Sequence, residues 1–330
     1  MRLALRRSWR LGTAVGTFVA LLVWGWAYYI YAPAPAMPHL SAVAVRGEMR
    51  VGERIRSYVA YIPARLPPRS PLVLVLHGSF MDGEMMRRGT GYEFDVIADR
   101  DRFAVVYPDG YDQNWNDCRR TDAYPAKSLN IDDMGFMRAI IARLRSEHDI
   151  DPARVFAMGY SDGGEMVYRL AIEAPEEIAA VTAVEANLPA PSDFICNNTN
   201  KTSRVMIVSG TDDPIMPFEG GEITLFGFGH RGLMRSAPAT AEYFVMANGL
   251  TEPPQTTRLP RAGPTDPTSV ERSVWSRDGM PIVAFDRING GGHVVPQPAY
   301  RWPRILGPTS PDLNAPKASW HFFAAGSQLR

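Results

Sequence analysis

Cysteine is scarce in this chain: only Cys118 and Cys196 occur among 330 residues. That excludes a small scaffold held by a dense disulfide framework. No Cys/His cluster has the spacing of metal ligands, and neither a metal nor a cofactor is implied. An excess of charge of one sign is also missing, since 35 basic residues meet 35 acidic ones. Such a balance argues against a nucleic-acid partner and against an acidic interaction tail. Internal repeats and low-complexity tracts are lacking as well. The 28 Gly and 28 Pro are scattered without a period, which excludes collagen-like and solenoid architectures.

What is present is a hydrophobic fraction of 45%, enough in a chain of this length for one large domain with a full core. The first forty residues differ from the rest. Arg2, Arg6, Arg7 and Arg10 precede an uncharged run over 11–32 that ends in Trp24, Trp26, Tyr28, Tyr29 and Tyr31. The basic segment 1–10 predicts a cytoplasmic end, and 11–32 predicts a membrane anchor or a signal segment. Its length favours the uncleaved anchor, while Ala34-Pro35-Ala36 has the form of a cleavage site. Both readings put the remaining chain outside the cytoplasm, periplasmic or at the cell surface, with membrane contact through this segment alone. There an oxidising environment would let Cys118 and Cys196 pair; two free buried thiols are the alternative. A Pro-rich stalk over 33–40 then leads into a catalytic domain over 41–330.

Within that domain 41–63 alternates like an edge hairpin. The apolar run Pro71–Leu76 fits a strand buried on both faces of a parallel sheet. Further strands are predicted at Phe103–Tyr107, Arg154–Met158, Ala180–Val184, Val205–Val208 and Pro281–Ile288. Helices are predicted at Glu84–Ala98, Asp132–Glu147, Asp162–Glu173, Ala239–Ala247 and Asp312–Ala325. Stretches 251–269 and 294–311 read as irregular surface excursions. Alternation of this kind predicts an α/β fold, a mostly parallel sheet with crossover helices on both faces.

The chemistry concentrates in Gly159-Tyr160-Ser161-Asp162-Gly163-Gly164, between a predicted strand and a predicted helix. A sharp strand-to-helix turn needs small residues beside the serine and lifts its hydroxyl above the sheet. Such a serine requires a base and an orienting acid, in the chain order Ser, Asp, His. Asp213, just before Pro214 and beyond a strand, is preferred over Asp212. His293, after a strand and the turn 289–292, is preferred over His230, and His321 reads as structural. The N–H of Asp162 is one expected oxyanion donor. Ser79 in His77-Gly78-Ser79 is the expected second, with Phe80 as runner-up, and His77 is expected to prop this loop. Asp132 and Asp133 fit a helix N-terminus better than a paired-carboxylate site.

These motifs resemble the secreted polyhydroxyalkanoate (polyhydroxybutyrate) depolymerase-like esterases, α/β-hydrolases that include feruloyl and acetylxylan esterases. The resemblance spans about 55–325 and is carried by Leu76-His77-Gly78, Tyr107-Pro108-Asp109-Gly110 with Trp115, and Ile131-Asp132-Asp133-Met134-Gly135-Phe136. It continues through Asp151-Pro152-Ala153-Arg154-Val155, the serine motif, the Asp213 loop with Phe218-Glu219-Gly220-Gly221, and Gly290-Gly291-Gly292-His293. It implies Ser161, Asp213 and His293 as the catalytic set, and Cys118–Cys196 as a disulfide. Three positions depart from the family pattern. Val294-Val295-Pro296 stands where a Thr-Trp-Pro run is common. Asp162 stands where Asn is common, which is tolerable if its carboxylate caps the following helix. Asn248-Gly249-Leu250 lacks a cysteine found in relatives.

The expected function is serine carboxylic-ester hydrolysis on a small-molecule or oligomeric ester, a short-chain hydroxyalkanoate or an aromatic acyl (feruloyl-like) ester. Trp115 and Trp302 are the expected substrate-stacking residues. No polymer-adsorbing segment follows the last predicted helix, so soluble esters are expected above crystalline polymer. The alternatives are a peptidase of the same fold and a non-catalytic cell-surface binding protein.

Overall fold

A computed structural model describes residues 2–121, 124–197 and 201–325, with side chains from Gly16 onward. The chain begins with helix α1 (Arg2–Tyr29). The edge hairpin follows as β1 (Val45–Val51) and β2 (Arg54–Tyr61), antiparallel and with Val51 opposite Arg54. Next come β3 (Ser70–Leu76), α2 (Gly83–Gly89), α3 (Glu93–Asp101), β4 (Ala104–Pro108), α4 (Pro125–Ser128) and α5 (Asp133–His148). Then β5 (Ile150–Tyr160), α6 (Asp162–Glu173), β6 (Ala180–Val184) and β7 (Arg204–Gly210) complete the centre. A two-stranded ribbon, β8 (Gly221–Glu222) with β9 (Leu233–Met234), precedes α7 (Ala237–Ala247). The last part holds β10 (Gln255–Arg258), β11 (Ser269–Arg277), β12 (Met280–Asn289) and α8 (Ala315–Ala325).

Ten strands form one sheet in the order β1-β2-β4-β3-β5-β6-β7-β12-β11-β10. The six from β4 to β12 in that order run parallel, and the hairpins at both edges are antiparallel. β3 explains how the middle is held. Leu72, Leu74 and Leu76 face the core beneath α5, α6 and α7, while Val73 and Val75 face the opposite core with α2, α3 and α8. Every residue of that strand is buried, because a parallel sheet covered on both faces leaves no solvated side. Each large apolar side chain so buried contributes about 1.5–3 kcal/mol.

Two sequence expectations change, and a third is left without support. The helix expected over Glu84–Ala98 is two helices, because Gly91 and Tyr92 take positive φ (66° and 60°) and interrupt it. The stretch expected to be irregular at 251–269 contains β10, which pairs with the unforeseen β11. β10 is the edge strand and is exposed throughout, and β11 beside it is polar and mostly half-buried, so neither carries a clear alternating apolar signal. The expected membrane anchor finds no support. Among the described residues no helix is long and apolar enough to cross a membrane. The basic residues of segment 1–10 lie outside the described side chains. The end of α1 instead leans on the domain, where Arg304 stacks over the Tyr28 ring at 4.3 Å and donates to its carbonyl.

Cys118 and Cys196 are joined as a disulfide, with Cα atoms 5.0 Å apart. Asp132 caps α5, its Oδ1 accepting from Gly135 N–H at 2.7 Å. Asp133 turns inward instead, to Arg56 at 2.7 Å and to Asn116 N–H at 2.8 Å.

Candidate active site

The C-terminal ends of the parallel strands converge on one cleft. Ser161 follows β5 and opens α6 with φ 54° and ψ −122°. A non-glycine residue in that region carries strain on the order of 1–3 kcal/mol, tolerated because the flanking turn is over-determined. Two glycines make the turn possible. A Cβ on Gly159 would sit 2.0 Å from Gly163 O, and one on Gly163 would sit 2.5 Å from the carbonyl oxygens of Leu76 and His77. The first contact lets the chain reverse, and the second lets α6 press against the end of β3.

Asp213 lies beyond β7 and His293 beyond β12. His293 Nε2 is 2.9 Å from Ser161 Oγ, and its Nδ1 is 2.6 Å from Asp213 Oδ2. With Asp213 ionised, Nδ1 carries the proton and Nε2 is left to accept from the serine. The other Asp213 oxygen accepts from the N–H groups of Ile215 and Met216, at 2.7 and 2.8 Å, so the carboxylate cannot swing away. The main chain of His293 is gripped too: its N–H donates to Leu306 O at 2.6 Å, and its carbonyl accepts from Tyr160 OH at 2.9 Å. Asp212 is exposed and takes the Thr211 hydroxyl, His230 pairs with Glu222 on the surface, and His321 lies on α8. None of these three reaches Ser161.

Asp162 is the first residue of α6, where backbone N–H groups have no intrahelical acceptor. Ser79 N–H makes no hydrogen bond among the described residues, whereas Phe80 N–H is committed to Gln113 O at 3.0 Å. Of the two loop donors, Ser79 is therefore the free one. His77 holds this loop from beneath. Its Nε2 accepts from Gly110 N–H and its Nδ1 donates to Gly78 O, both at 2.8 Å. Burial lowers its pKa to about 4, which makes it a weak base, and both of its ring nitrogens are already committed.

Above the serine opens a cleft of about 490 Å³. Phe80, Met81, Ile223, Leu225 and Trp302 give it an apolar lining, and Ala32, Ala34 and Pro35 after α1 close one edge.

Residues 56–189 match the family model described as "Esterase PHB depolymerase". "Putative esterase NocK" of Nocardia uniformis subsp. tsuyamanensis is 29% identical over 90% of this chain and 87% of its own. Feruloyl esterase C of Emericella nidulans is 26% identical over 82% and 84%. Among solved structures, the acetyl xylan esterase from Aspergillus awamori superposes with a TM-score of 0.53 at 15% identity, covering 82% of this chain and 94% of that one. At that identity the superposition shows the shared fold alone. This chain is a carboxylic-ester hydrolase, similar to the polyhydroxybutyrate depolymerases and feruloyl esterases.

One expected substrate residue of this esterase lies elsewhere. Trp115 is fully buried and does not line the cleft; its indole N–H donates to His77 O at 2.8 Å and its ring packs on His77. A buried indole must place its one donor, and this carbonyl behind the loop is where it does so. Trp302 does line the cleft, packed between Tyr160 and Tyr300.

The carboxylate of Asp162 does not cap α6 either. It accepts from Trp115 N–H and from Arg119 Nη2, both at 2.9 Å. Asp117, Asp162 and Glu165 come close enough to grip a cation, and the cation they grip is Arg119. Its Nη2 lies 2.5, 2.9 and 2.7 Å from the three carboxyls. Burial raises all three acids. For Asp117 the opposing charges of Arg119 and Lys127 win and hold it well below the usual range. For Asp162 burial wins and pushes it up to about 8, and Glu165 is driven well above its ordinary value. These shifts reduce the negative charge beside the expected oxyanion position, and Arg119 and Lys127 oppose what remains.

Glu185, at the end of β6, is a site residue that motif reading missed. It is 1% exposed, and its Oε2 accepts from Gly210 N–H at 2.9 Å. Oε1 faces no donor among the described residues, and the side chain lies against the carboxylate of Asp213. Burial first, and the Asp213 charge second, raise its pKa well above the carboxylate range. That shift favours the protonated carboxyl, the form that can donate toward Asp213. The one sequence signal of Glu185 was an acid directly after a buried parallel strand.

Proposed function

We propose that this esterase hydrolyses short-chain hydroxyalkanoate or aromatic acyl esters through an acyl-enzyme on Ser161, with Asp213 and His293 completing the catalytic set. The observation that carries the reading is the chain of contacts from Ser161 Oγ through His293 to Asp213, at 2.9 and 2.6 Å. As Oγ attacks the ester carbonyl, its proton passes to His293 Nε2 and Asp213 compensates the imidazolium. The oxyanion that forms is held by the N–H groups of Asp162 and Ser79. Collapse breaks the ester C–O bond, and the leaving alcohol takes the proton from His293. Water then gives a proton to His293 and attacks the acyl carbon, and Ser161 departs with that proton.

Support for the substrate class comes from the apolar cleft and from the feruloyl and depolymerase names of the relatives. The Cys118–Cys196 bond supports work outside the reducing cytoplasm. The test is Ser161→Ala: it should remove hydrolysis of 4-nitrophenyl butyrate by orders of magnitude and abolish labelling by a fluorophosphonate, with the melting temperature within a few degrees of wild type. Turnover near the wild-type rate in that variant would refute the mechanism.

A further inference from the structure

Two guanidinium groups on the cleft lining have no acidic partner among the described residues. One is Arg88, whose Nε reaches only the Glu84 carbonyl at 3.4 Å. The other is Arg231, in the segment between β8 and β9. Arg231 packs in the corner of two rings that meet edge to face, 5.3 Å from the centre of Phe80 and 5.2 Å from that of Tyr124. Its Nη1 donates to Tyr124 OH, which also accepts from Ser79 Oγ at 3.1 Å. Its carbonyl is fixed by Arg119 Nη1 at 3.0 Å. Backbone, ring plane and one terminal nitrogen are thus held, while Nε and Nη2 make no hydrogen bond among the described residues.

That free edge matters chemically. Nε–H and Nη2–H point the same way from a planar group and match the two oxygens of a carboxylate. The ring contacts and the hydrogen bond to Tyr124 remove part of the conformational freedom that a flexible side chain would lose on binding. The other acidic and basic side chains on the lining are Arg119, Asp162, Glu165 and His293; the first three satisfy one another, and His293 is held by Asp213 and Ser161. An ester entering this cleft therefore meets apolar walls, Ser161, and unneutralised positive charge near the Ser79 loop.

We propose that Arg231 is a carboxylate-binding subsite, and that the preferred esters carry a free carboxylate beyond the scissile bond. The proposal rests on the esterase reading of Ser161 and narrows its substrate. The carboxylate could belong to the leaving alcohol, as in an acid-terminated hydroxyacid oligomer, or to the acyl group, as in a dicarboxylic acid monoester.

Two matched pairs separate these sources: 3-hydroxybutyrate dimer against its methyl ester, and mono-4-nitrophenyl adipate against 4-nitrophenyl hexanoate. In at least one pair the charged member should have a kcat/KM about 10-fold higher or more at low salt, the scale of a charge-assisted hydrogen bond. Added salt should shrink that ratio. Arg231→Gln should bring it close to one, and Arg231→Lys should keep part of it. Hydrolysis of the neutral members reads the esterase proposal separately. If they are not turned over, calorimetric binding of the charged members to the Ser161→Ala protein, with and without Arg231→Gln, decides the subsite. Absence of a charged-substrate preference in both pairs overturns the proposal. So does a preference that survives Arg231→Gln, or one removed by Arg88→Gln instead.

Discussion

The phenol of Tyr160 donates to the backbone carbonyl of His293 across 2.9 Å, although 133 positions separate them. Its ring also packs on the imidazole, with centroids 5.1 Å apart. The residue before the proposed nucleophile thereby positions the proposed base, and one turn of chain sets both partners of the Ser161–His293 contact.

Tyr160→Phe keeps the ring packing and removes the hydrogen bond. A kcat lower by about 10-fold is expected, with KM little changed, because a misplaced base costs rate and not ground-state binding. Steady-state kinetics on 4-nitrophenyl butyrate measure it, and an unchanged kcat removes the positioning role.

Glu185 should act through its proton. Glu185→Gln keeps a donor toward Asp213 and should retain most of the activity, whereas Glu185→Ala should lose about 10-fold in kcat. At alkaline pH the wild type should lose activity as Glu185 ionises and two carboxylates face each other. The glutamine variant, which cannot ionise, should lack that limb. Identical pH profiles for wild type and Glu185→Gln would count against a protonated glutamic acid.

His77 makes stability pH-dependent in a defined window. Its folded pKa is lowered to about 4, below the ordinary 6.5 of an unfolded histidine. Between those values the unfolded chain takes up a proton that the folded one refuses. Stability attributable to His77 should thus be unaffected above pH 6.5 and fall as the pH drops toward 4, by on the order of 3 kcal/mol. Denaturant titrations at pH 7 and pH 4.5 test this, and His77→Gln should reduce the difference between them.

The disulfide closes a loop across a sequence separation of 78 residues. Reduction, or a Cys118→Ala/Cys196→Ala double variant, should cost about 2–5 kcal/mol by relieving the constraint on the unfolded chain. A shift in the urea midpoint reports it. An unmoved midpoint would mean that the constraint is not limiting.

The buried strands were legible because a parallel sheet covered on both faces demands continuous apolar runs, as in Pro71–Leu76, and helices intervene between such runs. The serine turn was legible because only glycine tolerates the 2.0 and 2.5 Å approaches at Gly159 and Gly163. Chain order then gave Asp213 and His293. The strands β10 and β11 were not legible, since β10 has no buried face and β11 has only one fully buried residue, Val270, which leaves little apolar alternation to read. Trp115 and Trp302 looked alike in sequence, yet one is fully enclosed and the other lines the cleft.

The sequence by itself determined the fold class, the serine turn and the order of its partners, because periodicity and glycine placement are local constraints written into neighbouring residues. Only the tertiary structure decided which charges compensate which. Arg119 beneath Asp162, Glu185 behind Asp213, and Arg231 against Phe80 and Tyr124 are pairings across strands and loops far apart in the chain. Electrostatic energy and desolvation depend on distance and burial in space, and no local pattern encodes either.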